Sequence, residues 1–93
     1  MLYIRIRRLN RTIFFNVNAN ESISHVLERL AYITLVEPSR MKLFYRSSPI
    51  DNVQMTVADC GIVNDDLLVL VYAEPMEDGS FRWENPEETS LND

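Results

Sequence analysis

The 93 residues hold one cysteine, one histidine, two glycines and one tryptophan. Each scarcity removes a class of chemistry. A single cysteine, Cys60, cannot close a disulfide within the chain, and a reducing compartment fits that usage best. Two glycines leave no glycine-rich loop to cradle a phosphate. The lone histidine, His25, has no second histidine and no Cys-x-x-Cys with which to hold a metal. Beside the apolar stripe of its helix, it reads as a surface histidine rather than a general base. Cys60 precedes Gly61 in a turn with apolar neighbours and reads as a packed thiol. No catalytic residue, cofactor or metal is therefore expected. No apolar run reaches the roughly 18 residues of a membrane span. The opening MLYIRIRR carries charges inside its apolar stretch, so it reads as a strand rather than a secretory leader.

Net charge is −5, unevenly spread. Residues 1–73 hold eight Arg/Lys and seven Asp/Glu, close to neutral, whereas residues 74–93 hold seven acids against Arg82 alone. An acidic segment of this kind does not bind nucleic acid. It is either solvated or meets a basic partner. Phe81 and Trp83 sit within it, and such aromatics are uncommon in disordered tails. They read as anchors. The expected division is a domain over 1–73 and an acidic extension over 74–93.

What is present is strand and helix periodicity. Residues 2–8, LYIRIRR, alternate, with Leu2, Ile4 and Ile6 on one face and Tyr3, Arg5 and Arg7 on the other. Residues 12–17, TIFFNV, repeat the pattern after a turn at Leu9-Asn10-Arg11, so the two form a hairpin. Ser22 is a candidate N-cap. Ile23, Val26, Leu27, Leu30 and Ile33 follow at helical spacing, and Pro38 forces the helix to end near Thr34. MKLFYR (41–46) reads as a third strand, with Ile50 as an apolar anchor in the turn after it. TVADCGI (56–62) reads as one helical turn closed by Gly61. LLVLVY (67–72) is a last strand that is apolar on both faces.

One helix covers one face of such a sheet, which gives a two-layer α+β domain. The inward set is Leu2, Ile4, Ile6, Ile13, Phe15, Val17, Ile23, Val26, Leu30, Leu43, Tyr45, Ile50, Val57, Ile62, Leu68 and Leu70. The outward set is Tyr3, Arg5, Arg7, Thr12, Phe14, Lys42, Phe44, Val69 and Val71. It makes an apolar stripe with a charged rim, the anatomy of a protein interface. The stripe is covered by a partner, by the chain's own Pro75, Met76, Phe81 and Trp83, or by nothing.

The element order, with TIFFNVNANESISHV, PSRMKLFYR and VADCGIVNDDLLVLV, resembles the ubiquitin-like β-grasp superfamily over residues 1–73. That resemblance implies a mixed sheet of four to five strands packed on one helix. IRRLNRTIF (6–14), ADCGI (58–62) and DGSFRWENPEE (78–88) resemble the elongin B family, although only VNDD separates Ile62 from Leu67 where that family carries a longer insertion. The narrower resemblance implies a non-enzymatic adaptor that docks its sheet face on an elongin C/Skp1-like protein. The assembly would be a hetero-oligomer, a cullin-RING ubiquitin ligase or a transcription elongation complex, in nucleus and cytoplasm. It places Arg7, Arg8, Thr12, Ile13 and Phe14 in the matching hairpin. The alternative is a ubiquitin-like domain recognised by ubiquitin-binding or proteasomal proteins through Phe44 and Val71. A conjugated modifier would end in Gly-Gly. This chain runs on past Tyr72 with only the single Gly79.

Overall fold

The computed structural model describes residues 1–89, so residues 90–93 of the expected extension lie outside the described residues. The order is β1 (Leu2–Arg8), β2 (Arg11–Val17), α1 (Ile23–Thr34), a 3-10 turn (Pro38–Arg40), β3 (Met41–Tyr45), β4 (Ser48–Pro49), β5 (Leu67–Pro75), β6 (Phe81–Trp83) and α2 (Pro86–Thr89). The sheet runs β2-β1-β5-β3-β4, and β6 adds to β5. β1 is antiparallel to β2 and parallel to β5, while β3 is antiparallel to β5. This is the mixed-sheet β-grasp arrangement, with six strands of which β4 and β6 are short.

The hairpin closes tightly. Arg8 pairs with Arg11, and Leu9 takes the left-handed conformation at φ 57°. α1 begins as the sequence implies, since Ser22 Oγ accepts the His25 N–H at 3.1 Å, satisfying an otherwise orphan donor. Glu21 braces the same corner. Burial would raise its pKa, but the Arg29 guanidinium, the Asn18 N–H and His25 together hold it below the usual carboxylate value.

α1 ends at Leu35, which is left-handed at φ 61° and donates its N–H to the Ala31 carbonyl at 2.9 Å. That position favours glycine, because a Cβ crowds the backbone there. Leu35 is 90% exposed, so its side chain offsets little of the strain. Leu35→Gly is therefore expected to stabilise the domain by about 1 kcal/mol, read as a higher urea midpoint at unchanged slope. A lower midpoint would mean that the leucine is held by contacts of its own.

The core between α1 and the sheet contains Ile4, Ile6, Phe15, Val17, Ile23, Val26, Leu30, Leu43, Val57, Ile62, Leu68 and Leu70, with Leu27 and Met41 as additions to the expected inward set. Leu2, Ile13, Tyr45 and Ile50 pack against it half-buried. Residues 56–62 hold the single turn expected and no longer helix. Cys60 donates its N–H to the Thr56 carbonyl at 3.2 Å, but Gly61 and Ile62 turn to Ala58 and Val57, so the helical bond does not repeat. Val57 and Ala58 donate across the fold to Glu21 and Ala19. Gly61, at φ 77°, closes the segment. Cys60 is half-buried within these turns. Burial, then the nearby Asp59, push its thiol above the usual value, which makes it a poor nucleophile.

Candidate interaction face

Cross-strand partners share a face of a sheet, so the register fixes the layout of the side opposite α1. Phe14, Arg5 and Leu67 form one row, and Thr12, Arg7, Val69 and Phe44 form the next. Lys42 lies opposite Val71, and beyond them Trp83 lies opposite Ala73. The structure brings all the expected outward residues onto one face. It does not leave them equally open.

The β1–β2 half is open. Tyr3 is 47% and Phe14 59% exposed, and their rings meet edge to face with centroids 6.4 Å apart. The neighbouring arginines are laid flat on the sheet. Arg5 donates through Nε and Nη2 to the Asp65 carbonyl at 3.2 and 2.9 Å, and Arg7 donates to Thr12 Oγ1 at 3.3 Å. Their cations are held beside the ring pair and carry little further conformational entropy to lose on binding.

The β5–β3 half is different. Val71 is 0% and Ala73 1% exposed, yet neither belongs to the core under α1. They are covered from the other side by the chain's own C-terminal segment. Val71 was expected as an exposed contact residue, and this corrects that expectation. Past Tyr72 the strand runs on to Pro75, reverses over Met76–Ser80 and pairs back as β6. Trp83 is the cross-strand partner of the small Ala73, with the Lys42 ammonium 4.6 Å from its ring centroid and the Phe81 ring centroid 6.3 Å away. α2 packs against β5. Pro86 and Glu87 form one wall of a groove of about 260 Å³ whose lining includes Phe44, Leu67 and Val69, all three half-buried.

Arg8 is also corrected. It was expected at a partner interface, but it faces the α1 side, where it is engaged internally. Its Nε donates to Glu84 Oε1 at 3.0 Å and its Nη2 to Oε2, while its guanidinium stacks 3.9 Å over the Tyr72 ring. Glu84 was not singled out from the sequence, because its partner is 76 positions away and no local pattern marks it. On the α1 side of the sheet, Tyr45 donates its hydroxyl to Asp66 at 2.6 Å. That bond, then the Val63 N–H, lower the Asp66 pKa, and the same bond raises that of Tyr45. Among the described residues, no group of three or more His, Cys, Asp or Glu is placed to hold a metal ion. No described helix is long and apolar enough to cross a membrane.

The Ubiquitin family profile matches residues 4–75. The chain belongs to the ubiquitin family. Solved structures agree on the fold. ATBAG1, in a crystal structure with HSP70, superposes at a TM-score of 0.72 with 19% identity over 77% of this chain and 40% of its own, so this chain corresponds to less than half of it. The ubiquitin-like domain of an Arabidopsis thaliana protein gives 0.71 with 14% identity over 76% of each chain. The ubiquitin of Caldiarchaeum subterraneum gives 0.70 with 18% identity over 76% of this chain and 91% of its own. A search of curated proteins finds no match. Ubiquitin-like folds are generally non-catalytic.

Proposed function

We propose that this ubiquitin-family chain is a non-enzymatic adaptor of the elongin B kind. It docks another protein through the open β1–β2 half of its helix-free face. The observation that carries this reading is the Tyr3–Phe14 pair, exposed and packed edge to face beside the hydrogen-bonded Arg5 and Arg7. A large apolar pair with a preset charged rim is what an interface hot spot requires. Tyr3, Arg5, Arg7, Thr12 and Phe14 form the contact set. The partner is an elongin C/Skp1-like subunit, and the assembly a cullin-RING ligase or an elongation complex in nucleus and cytoplasm, all from the hairpin and tail motifs. ATBAG1, a neighbour in fold, was itself solved with a protein partner, HSP70, which accords with an interaction role.

Binding of a purified elongin C-type subunit to the full chain tests the proposal by calorimetry. Phe14→Asp is expected to weaken binding roughly thirtyfold, as loss of a hot spot worth about 2 kcal/mol. Phe44→Ala should leave it nearly unchanged. Equal affinity for the wild type and Phe14→Asp would move the interface elsewhere. The receptor reading through Phe44 and Val71 is disfavoured, because Val71 is inaccessible under the C-terminal segment.

A further inference from the structure

The family profile ends at residue 75, and the residues beyond it extend a fold whose neighbours superpose over about three quarters of this chain. The extension reverses over Met76–Ser80, where Met76 N–H donates to the Ser80 carbonyl at 2.8 Å and Gly79 sits at φ 89°. It returns as only three paired residues, Phe81 to Trp83, all of them exposed. Packing within β6 therefore supplies little of its attachment. Beside the Arg82–Glu74 ion pair and the Lys42–Trp83 contact, its densest set of ties is polar and lies at one carboxylate.

Glu84 accepts three hydrogen bonds from the domain: the Tyr72 N–H at 2.8 Å on Oε1, Arg8 Nε on the same oxygen, and Arg8 Nη2 on Oε2. Its own N–H donates to the Tyr72 carbonyl at 3.0 Å. Glu84 thus satisfies both backbone groups of Tyr72, a residue of β5 beyond the end of the β1 pairing. A charge-assisted bidentate pair of this kind is strong and geometrically selective. Downstream, Thr89 is 2% exposed and its carbonyl accepts the Leu9 N–H at 2.6 Å, fixing the far end.

We propose that residues 81–89 are a releasable strap, latched at Glu84, which closes the Val71–Ala73 half of the interaction face. In the closed state only the Tyr3–Phe14 patch is offered. In the open state Val71 and Ala73 join Val69 and Phe44 in one exposed apolar stripe beside Lys42. The inference does not depend on which partner takes Tyr3 and Phe14.

The full chain with Glu84→Ala, and separately with Arg8→Ala, tests the strap. Three signals are read: hydrogen exchange at the Leu9 amide, acrylamide quenching of Trp83, and binding of the apolar-surface dye ANS. Trp83 is the only tryptophan in the chain and sits on the strap. The Leu9 amide reports the far end of the strap rather than the Glu84 bonds themselves. Both variants are expected to raise Leu9 exchange about thirtyfold, the range of a local opening. Trp83 quenching and ANS binding rise together, and the α1 amides of Val26, Leu27 and Leu30 keep their protection. Faster exchange at Tyr72 with Leu9 unchanged would reduce Glu84 to a local hydrogen bond and overturn the proposal. Exchange rising equally in α1 would overturn it too, by making the segment part of the cooperative fold.

Discussion

Leu68→Ala is expected to cost the domain about 3 kcal/mol or more, within the usual range for a leucine emptied from a rigid core. Leu68 is 0% exposed and sits on the central strand, opposite Ile6 on one side and Tyr45 on the other. Three strands and α1 meet around it, so no single element can relax into the vacated space. A domain of this size has roughly 5–15 kcal/mol in total, and the loss removes a large share of it. The urea midpoint should fall with unchanged slope. Far-UV dichroism and Trp83 fluorescence should fall together, since losing the core releases everything attached to it. A loss under about 1 kcal/mol would mean that the cavity collapses, and the packing between α1 and β5 would then be looser than the burial indicates.

The fold was readable because most elements bury one face. Alternation in residues 2–8 and 12–17, and the helical spacing from Ile23 to Ile33, state which side is wet, except that Ile33 in the last turn is 51% exposed. Ser22 and Pro38 mark the helix limits by local chemistry. Where the reading failed, the cause was non-local. The single turn at 56–62 is legible from Gly61, but its ties to Glu21 and Ala19, about 40 positions back, are not. β6 was not anticipated, since three residues, FRW, carry no measurable period and the acidity around them suggested solvation. Phe81 and Trp83 are legible as anchors, and the chain's own sheet face is one of the surfaces the sequence offers them, but nothing local chooses between that face and a partner. Arg8 and Glu84 are each unremarkable charges until the fold brings them together. The interaction face was legible as a set, and its division into an open and a covered half was not.

That division has a consequence at Val71, one strand position from the core but on the other side of the sheet. LLVLVY is apolar on both faces because both are covered. Leu68 and Leu70 lie under α1, and Val71 with the nearby Ala73 lie under the C-terminal segment. Val71→Lys would place an ammonium in a fully buried site with Lys42 as its direct cross-strand partner. An unpaired buried charge costs several kcal/mol, and a like charge opposite adds to it. The two faces differ in how that cost can be escaped. A charge under α1 can reach water only by unfolding the domain. A charge at Val71 reaches water once β6 and α2 lift. Val71→Lys is therefore expected to cancel about 3 kcal/mol of docking of the C-terminal segment while the helix transition shifts by less than about 1 kcal/mol. Trp83 fluorescence would then change at lower urea than far-UV dichroism, and the two curves would cease to coincide. If instead they stayed superimposed and fell as far as in Leu68→Ala, both sides of β5 would belong to one cooperative core, and the C-terminal segment would be as integral to the fold as α1.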